Sequence, residues 1–238
     1  MTVQFPRDAA PFIATSRDIL RSHGIEITIG SNFENYAEII RTERKVQNLG
    51  APFDHELYEL PEKESFWLIG RNKAGDLIHS QAAKKVHLGG KNLAGHLLNH
   101  FRDFPPPIPG VDFQRSRYRA TPDAHRISGN VVYHGEVWMA PEEGTYRGTG
   151  LSTVLARTGL LEIMRRWDPD FIYGFMLRQV AFKGFSERMG YFHNEPGALH
   201  WQISGREEPL EAFLTWLSEE DAKFLLDIPV EALVHKVA

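Results

Sequence analysis

The residues that could do chemistry are concentrated between positions 131 and 152, and the clearest feature there is glycine-rich. The stretch Arg147-Gly148-Thr149-Gly150-Leu151-Ser152 leads directly into an apolar, helix-like run. Glycines let a backbone approach a ligand closely and adopt positive φ. The unpaired N–H groups of residues 149–152 would then converge beside the positive end of a helix. This arrangement predicts a cradle for a diphosphate, to which Arg147 could add an ionic contact.

The same glycine spacing also fits a simple turn that feeds a helix, so it does not settle the function alone. It is not a Walker loop, because no Lys-Ser or Lys-Thr pair follows the second glycine. It fits a dinucleotide fingerprint poorly, because the third glycine is missing. For Gly150→Val we expect lost binding in an intact fold, because valine disfavours positive φ.

The residues before and inside this stretch resemble a known family pattern. Met139-Ala140-Pro141-Glu142, followed by Tyr146 to Ser152, is similar to the V-x-P-E and Y-R-G-K-G-I-G pattern of the GNAT superfamily of N-acyltransferases. Ser152 departs from the family's Gly or Ala, and residues 143–145 look like an insertion.

A second stretch, Gln179 to Tyr191, resembles the family pattern N-x-x-A-x-x-x-Y-x-x-x-G-F. Gln179 stands in the Asn place and Ser186 in the tyrosine place, which is a further departure. The resemblance covers about residues 131–191; over 25–83 only the order of predicted elements agrees.

The resemblance implies an α/β (α+β) fold, a mixed, mostly antiparallel GNAT-like sheet with helices on both faces. It implies an acyl-CoA cosubstrate whose pantetheine arm pairs with backbone near Met139, where two parallel strands splay. The implied cofactor-binding residues are Val137, Met139, Ala140, Arg147, Gly148, Thr149, Gly150, Leu151, Ser152 and Gln179. The backbone N–H of Met139 or Ala140 would polarise the thioester carbonyl.

Acid–base candidates follow from the strand predicted over 131–139. Alternation puts His134, Glu136 and Trp138 on one face. By resemblance this strand offers an acidic base, for which Glu136 is the first candidate and His134 the second; both could equally be exposed strand residues. Desolvation next to Trp138 would raise the pKa of Glu136. Ser186, in the place of the family's tyrosine, is a poor acid, and Tyr191 and Tyr173 are possible substitutes.

Composition bounds the remaining possibilities. The 238 residues predict one domain, with an N-terminal arm over 1–14 and an insertion over about 85–127. The net charge of −4 argues against nucleic acid or an anionic membrane as partner, although Arg115, Arg117 and Arg119 form a local basic stretch. We expect no transmembrane helix or signal peptide and a cytoplasmic location, and a homodimer is one assembly open to the chain.

A metal is not expected either. The chain has no cysteine, which removes disulfides, thiolate catalysis and Cys-type zinc sites. His96 and His100 have i,i+4 spacing on a predicted helix and could bind a metal, but we expect them to lie on a solvated face instead.

The apolar periodicity predicts the elements that position these residues. Strands are predicted over 25–29, 65–69, 77–83, 131–139, 171–176 and 199–203. Helices are predicted over 16–23, 31–46, 93–101, 152–167, 182–188, 210–217 and 219–226. Residues 105–126 have no clear period.

The expected function is therefore acyl transfer, most simply acetyl transfer, from acyl-CoA to a small-molecule or peptide amine. One alternative is an enzyme similar to acyl-homoserine-lactone or N-acyl-amino-acid synthases, using acyl-carrier protein. Another is a non-catalytic module that binds acyl-CoA. The sequence leaves the acceptor open.

Overall fold

A single eight-stranded sheet organises the chain. The computed structural model describes residues 9–44, 47–140 and 149–234. The strands are β1 (Glu26–Gly30), β2 (Ser65–Arg71), β3 (Leu77–Val86), β4 (Val111–Tyr118), β5 (Val131–Met139), β6 (Phe171–Leu177), β7 (His193–Ile203) and β8 (Leu210–Ser218). Their order in the sheet is β1-β2-β3-β5-β6-β8-β7-β4, and β5–β6 is the parallel pair among antiparallel neighbours. The expected mixed, mostly antiparallel sheet is confirmed.

Helices cover both faces of this sheet, as expected. They are α1 (Ala10–Ser22), α2 (Phe33–Glu43), α3 (Leu93–His100), α4 (Leu151–Trp167), α5 (Arg178–Ala181), α6 (Phe185–Met189) and α7 (Glu219–Leu226). The apolar faces of α2 and α3 share one core with Tyr133 and Tyr173. On the opposite face α4, α6 and α7 pack around Val132 and Ile172, while α1 meets α4 in an adjoining cluster.

Local signals in the sequence explain several helix ends. Asn32 caps α2 by accepting a hydrogen bond from the Asn35 N–H at 2.8 Å. Ser218 and Asp221 form a capping box at the start of α7. Gly190 ends α6 at φ 104°, a left-handed conformation that favours glycine.

Residues 210–217, predicted as a helix, form strand β8 instead. The segment is apolar almost throughout, with Phe213, Leu214 and Leu217 buried. β8 pairs with β6 on one side and β7 on the other, so it is a central strand, and residues 212–217 are buried on both of its faces. A short apolar run buried on two faces has no periodicity that separates strand from helix.

The region expected as an insertion, about 85–127, adds a strand to the main sheet. β4 pairs antiparallel with β7 at the sheet edge, although no period was visible over 105–126. Its register is interrupted between Asp112 and Arg117, which hides the alternation of a regular strand. At the other end of the chain, α1 begins at Ala10, so the predicted arm is helical from there onward.

The parallel pair β5–β6 separates soon after it begins. Its register extends only from Val131–Phe171 to Tyr133–Tyr173, although both strands continue beyond these positions. Gly174 follows at the point of separation, where a Cβ would lie 2.7 Å from the His134 carbonyl oxygen. The splayed parallel strands implied by the family resemblance are therefore present.

Candidate active site

A cavity of about 250 Å³ lies where β5 and β6 separate. Its wall combines both faces of the sheet. From β5 it includes Tyr133, His134, Gly135, Glu136 and Val137; from β6, Gly174, Phe175, Met176 and Leu177. Further wall residues are Phe53, Phe104, Pro105, Pro106, Pro107, Met189, Tyr191, Trp201 and Thr215. The cavity thus connects the α2–α3 side of the sheet with the α4 side through the gap between two strands.

A chain of hydrogen bonds forms the polar part of the wall on the α4 side. The His134 ring lies 2.8 Å from the Tyr191 hydroxyl through Nδ1 and 2.8 Å from Gln81 Oε1 through Nε2. Gln81 Nε2 donates to the Leu155 carbonyl at 2.8 Å and lies 3.0 Å from His79 Nε2.

The Gln81 amide fixes the direction of the protons along this chain. Its oxygen can only accept, so His134 Nε2 carries a proton and donates. His134 Nδ1 is then an acceptor, and the Tyr191 O–H donates to it. His79 Nε2 likewise accepts from the Gln81 amide, which leaves its proton on Nδ1, 3.1 Å from Met139 Sδ. Each of the two imidazoles is therefore neutral.

Burial keeps both histidines uncharged. Desolvation lowers the pKa of His134 to about 3, helped by repulsion from His79. Desolvation likewise lowers the pKa of His79 to about 4. The pKa of the Tyr191 hydroxyl is raised well above its usual value, chiefly by burial. Tyr191 is thus a hydrogen-bond donor that does not ionise near neutral pH.

Glu136 lies on the opposite side of the sheet from His134. The β3–β5 register shifts between Ser80–Trp138 and Ala82–Gly135, and Glu136 adopts φ 57°. This β-bulge inserts one residue and breaks the alternation. The shared face expected for His134, Glu136 and Trp138 is wrong, because the bulge turns Glu136 toward the α2 side.

The Glu136 carboxylate is held by an arginine and a backbone donor. Arg44 Nη2 donates to Oε2 at 2.7 Å, with the Arg44 side chain fully buried, and the Gly50 N–H donates to Oε1 at 2.7 Å. The remaining Arg44 donors reach the carbonyl oxygens of Gln47 and Asn48 and the hydroxyl of Ser80. The Arg44 guanidinium is therefore fully engaged by partners within the protein.

Opposing effects act on the pKa of Glu136. Burial raises it, while the Arg44 charge and the hydrogen bonds from Arg44 and Gly50 lower it, with burial prevailing. Each carboxylate oxygen carries one of these hydrogen bonds and can accept another from the cavity side. A buried, partly satisfied carboxylate of this kind can receive a proton from a ligand.

Ser186, the residue in the place of the family's tyrosine, does not line the cavity. It is fully buried in α6 and its hydroxyl donates to Glu187 Oε2 at 2.9 Å. The Tyr191 N–H donates to the Ser186 carbonyl, so the two residues lie on one turn of chain. Tyr191, which the sequence offered as a substitute, is the one whose hydroxyl lies beside His134 and Gly174.

The start of α4 is described from Thr149 onward; Arg147 and Gly148 lie outside the described residues. Gly150 precedes the helix at φ 82°, and Leu151 is buried beneath it. The Leu151 N–H lies 3.3 Å from Thr149 Oγ1.

A Cβ at Gly150 would overlap the Leu233 carbonyl oxygen of the turn Val230–Leu233. The fold itself thus requires glycine here. The expectation that Gly150→Val leaves the fold intact is wrong, because both the positive φ and the Leu233 carbonyl exclude a side chain.

The end of β5 offers one backbone donor to the gap. The Ala140 N–H donates to the Ile78 carbonyl of β3 at 2.9 Å, so it is occupied within the sheet. Donors alternate along a strand, so the Met139 N–H is directed away from β3, toward the splayed side. Val137 lies on the cavity wall, whereas Gln179 is exposed on α5.

Three parts of the site could not be identified from the sequence. Arg44 and Gln81 reach the site from α2 and β3, far from β5 in sequence, and no local pattern marks them. The aromatic wall is a third, since Phe53 and Phe104 come from irregular segments. The concentration of Phe and Pro around position 104 is the one signal in the sequence that could have indicated this wall.

Two further observations concern only the residues that the structure describes. These residues contain no group of three or more His, Asp or Glu side chains arranged to hold a metal ion. None of their helices has the length and apolar character needed to cross a bilayer.

Comparison with known proteins finds similarity in fold only. No protein-family model matches the sequence, and no curated protein matches it. Among solved structures, Arabidopsis thaliana NAA60 in complex with a bisubstrate analogue has 14% identity and a TM-score of 0.46, covering 81% of this chain and 98% of that one. An N-acetyltransferase from Staphylococcus aureus has 9% identity and a TM-score of 0.45, covering 82% and 98%.

A third similar structure is the SpeG spermidine N-acetyltransferase from Vibrio cholerae, with 10% identity, a TM-score of 0.45, and coverage of 84% and 96%. All three are N-acetyltransferases, the class that the sequence motifs resemble. Identities this low and TM-scores below 0.5 transfer no activity, substrate or residue role to this chain.

Proposed function

We propose that this protein is an N-acyltransferase that moves an acyl group from acyl-CoA to an amine. The observation that carries the proposal is the cavity at the separation of β5 and β6, with a Tyr–His pair on one wall and a buried carboxylate on the other. An opening through a sheet lets a thioester approach from one face and a nucleophile from the other. This geometry suits direct transfer.

The protein must assist the reaction in three ways. The amine must lose a proton, its nitrogen then bonds to the thioester carbonyl carbon, and the carbon–sulfur bond breaks. The products are an amide, the CoA thiol and one proton. The nitrogen loses two protons between ammonium and amide, one before it attacks and one afterwards; one of them ends on the sulfur and the other passes to solvent. The site must therefore accept a proton, stabilise the carbonyl oxygen and stabilise the departing sulfur.

Glu136 is the proposed proton acceptor. Its carboxylate lines the cavity, and burial raises its pKa toward the range useful for a base. Arg44 and Gly50 hold it in one orientation, so it needs no reorganisation when the ammonium arrives.

Tyr191 and the Met139 N–H are the proposed donors. Because the pKa of Tyr191 lies well above its usual value, its hydroxyl would act on the sulfur by hydrogen bonding and stay protonated. His134, neutral and fixed by Gln81, accepts the single Tyr191 proton in the absence of substrate, and the O–H bond would rotate from His134 Nδ1 to the sulfur once the thioester is bound. The Met139 N–H, directed to the splayed side, is the donor available to the carbonyl oxygen.

The start of α4 would hold the diphosphate of CoA. The N–H groups of residues 149–152 lie at the positive end of a 17-residue helix. Arg147 and Gly148 would complete this cradle, and Gln179 on α5 would be a peripheral contact.

Two other functions were open from the sequence. A non-catalytic acyl-CoA-binding module is favoured by one observation, that Ser186 lies away from the cavity. A carrier-protein donor gains no support from Arg44 at the end of α2, because this arginine is buried against Glu136 and is not exposed to a partner.

The absence of cysteine makes the decisive assay simple. A thiol reagent added to the reaction reads only the CoA released, because the protein contributes no thiol. We expect amine-dependent thiol release from acetyl-CoA, matched by acetylated amine in the mass spectrum. Tight CoA binding with no thiol release for any amine would favour the non-catalytic module.

Calorimetric titration with CoA and with pantetheine tests the diphosphate cradle separately. CoA binding no tighter than pantetheine would remove the role of residues 149–152.

A further inference from the structure

The cavity opens on the α2–α3 side into a chamber walled by aromatic rings. Four rings, Phe53, Phe104, Tyr133 and Phe175, line it and contact one another. Phe104 lies 4.8 Å from Tyr133 and 5.3 Å from Phe175 between ring centroids, and Phe53 stacks on Tyr133 at 5.6 Å. These distances are those of packed aromatic pairs, so the wall is ordered by its own contacts.

The charged groups at this chamber are already paired. Glu136 has Arg44 as counter-ion at 2.7 Å, and four hydrogen bonds hold that guanidinium in place. Behind the wall, the Lys84 ammonium lies 5.9 Å from the Phe53 ring centroid and donates to the Pro52 carbonyl. A second cation beside Phe53 would therefore be repelled, and no unpaired carboxylate among the described lining residues would attract it.

We propose that this chamber, which we call the aromatic chamber (Phe53, Phe104, Tyr133 and Phe175), binds the body of the acceptor and selects a primary amine carried on an apolar, ring-sized group. The inference rests on the proposed acyl transfer and names the acceptor class for that site. The amine reaches Glu136, which has a free lone pair on the cavity side, while the apolar body replaces water against the rings.

Polycationic amines fit this chamber poorly. Spermidine would bring two further ammonium groups into an apolar enclosure, and each would lose hydration without gaining a counter-ion. Cation–π attraction to the rings gives only partial compensation, since Lys84 already occupies one side of Phe53. Small aliphatic amines would enter but leave the rings without contact.

A long acyl chain is the competing occupant. The chamber lies on the Glu136 side of the sheet, opposite the Tyr191–His134 pair proposed to face the sulfur. The acyl group attaches at the gap itself, so a short acyl group leaves the chamber to the nucleophile. The acyl-chain alternative is therefore an outcome that the experiment must separate.

The test compares three amines at saturating acetyl-CoA: 2-phenylethylamine, ethylamine and spermidine. We expect kcat/KM for 2-phenylethylamine to exceed the other two by about 10²-fold, since even one methylene in an apolar pocket is worth about 10–200-fold. Phe104→Leu should lower the ratio of 2-phenylethylamine to ethylamine by about 10-fold. Leu98→Ala, at an exposed position on α3, is the control and should leave that ratio unchanged.

A measurement of amine binding in the absence of turnover separates the proposal of acyl transfer from the proposal of the acceptor chamber. Calorimetric titration of 2-phenylethylamine into the protein–CoA complex should show binding that Phe104→Leu weakens by about 10-fold. If this holds and no thiol is released, the acceptor chamber stands and acyl transfer fails. If spermidine is acetylated as well as 2-phenylethylamine, acyl transfer stands and the chamber assignment is overturned.

An acyl-CoA series completes the design. A preference for octanoyl-CoA over acetyl-CoA that Phe104→Leu abolishes, with no change in amine binding, would assign the chamber to the acyl chain and overturn the proposal. Equal loss of binding by all three amines in a Phe104→Leu variant that keeps the wild-type Tm would also overturn it, since the ring would then not distinguish between the amines.

Discussion

Acidification should destabilise this protein through two buried histidines: His134, which lines the cavity, and His79, which is connected to it through Gln81. His79 and His134 have pKa values of about 4 and about 3 in the fold, against about 6.5 in an unfolded chain. Between these values the unfolded state binds more protons than the folded state. The free energy of unfolding therefore rises with pH in this window and falls as pH drops below about 6.5.

The change in the free energy of unfolding depends on how far the chosen pH lies below about 6.5, the pKa of histidine in the unfolded chain. At pH 5.0 both imidazoles stay neutral in the fold, so each contributes about 1.5 pH units at 1.36 kcal/mol, or about 2 kcal/mol. Together they should lower the free energy of unfolding by about 4 kcal/mol relative to pH 7.5. That is a large part of the roughly 5–15 kcal/mol typical of a folded protein.

Urea denaturation followed by tryptophan fluorescence at pH 7.5 and pH 5.0 measures this difference. His134→Gln and His79→Gln keep hydrogen-bonding capacity and should each remove about 2 kcal/mol of the pH dependence. His55→Gln, at an exposed position, is the control and should remove none.

The raised pKa of Glu136 acts with the opposite sign just above pH 4.5, because there the folded state binds more protons. Comparison of His134→Gln and His79→Gln with the wild type separates the contribution of the histidines to the pH dependence from that of Glu136. His134→Gln and His79→Gln variants that both keep the full wild-type pH dependence would refute the neutral Tyr191–His134–Gln81–His79 chain.

Three substitutions test the remaining roles. Tyr191→Phe should lower kcat by about 10²-fold, the low end for the loss of one preorganised hydrogen-bond donor, with CoA affinity within a few-fold; unchanged kcat would remove Tyr191 from the reaction. Glu136→Gln should lower kcat/KM by about 10²-fold near neutral pH, with a loss that shrinks as pH rises and the amine deprotonates itself; a pH-independent loss in a folded variant would mean that Glu136 only supports Arg44. Gly150→Ala should lower Tm more than Gly205→Ala, because both have similar positive φ but only Gly150 faces the Leu233 carbonyl; equal effects would contradict that contact.

The strand and helix that frame the site could be predicted because their signals are local. Strand 131–139 was predicted with the bounds it has, and α4 begins one residue earlier than predicted. Apolar periodicity, glycines and the Asp168-Pro169 stop are all read within a few residues. The glycine-rich start of α4 was visible for the same reason.

The direction of the Glu136 side chain could not be predicted, because it depends on a distant partner strand. Alternation assumes a regular ladder, whereas the bulge against β3 near Gln81 inserts one residue and moves Glu136 to the other face. Its neighbours, Arg44 and Gly50, come from a segment 86–92 positions earlier in the chain. Nothing within β5 signals that its carboxylate has a buried counter-ion.

That Tyr191 and not Ser186 supplies the hydroxyl at the gap could not be predicted either, and the reason is again the three-dimensional arrangement. The family pattern places a side chain by counting along a helix, but here the helical stretch is broken into α5 and α6 by Gly184 at φ 66°. The break changes which side chain reaches the gap. Tyr191, just after α6, supplies the hydroxyl instead, and only the three-dimensional arrangement shows it.

A crystal structure of the protein with acetyl-CoA tests the central claim most directly, because it locates the thioester. The account predicts the sulfur in the gap between β5 and β6, within hydrogen-bonding reach of the Tyr191 hydroxyl, and the diphosphate on the N–H groups at the start of α4. Acetyl-CoA bound elsewhere, with the gap between Gly135 and Gly174 filled only by solvent, would contradict it.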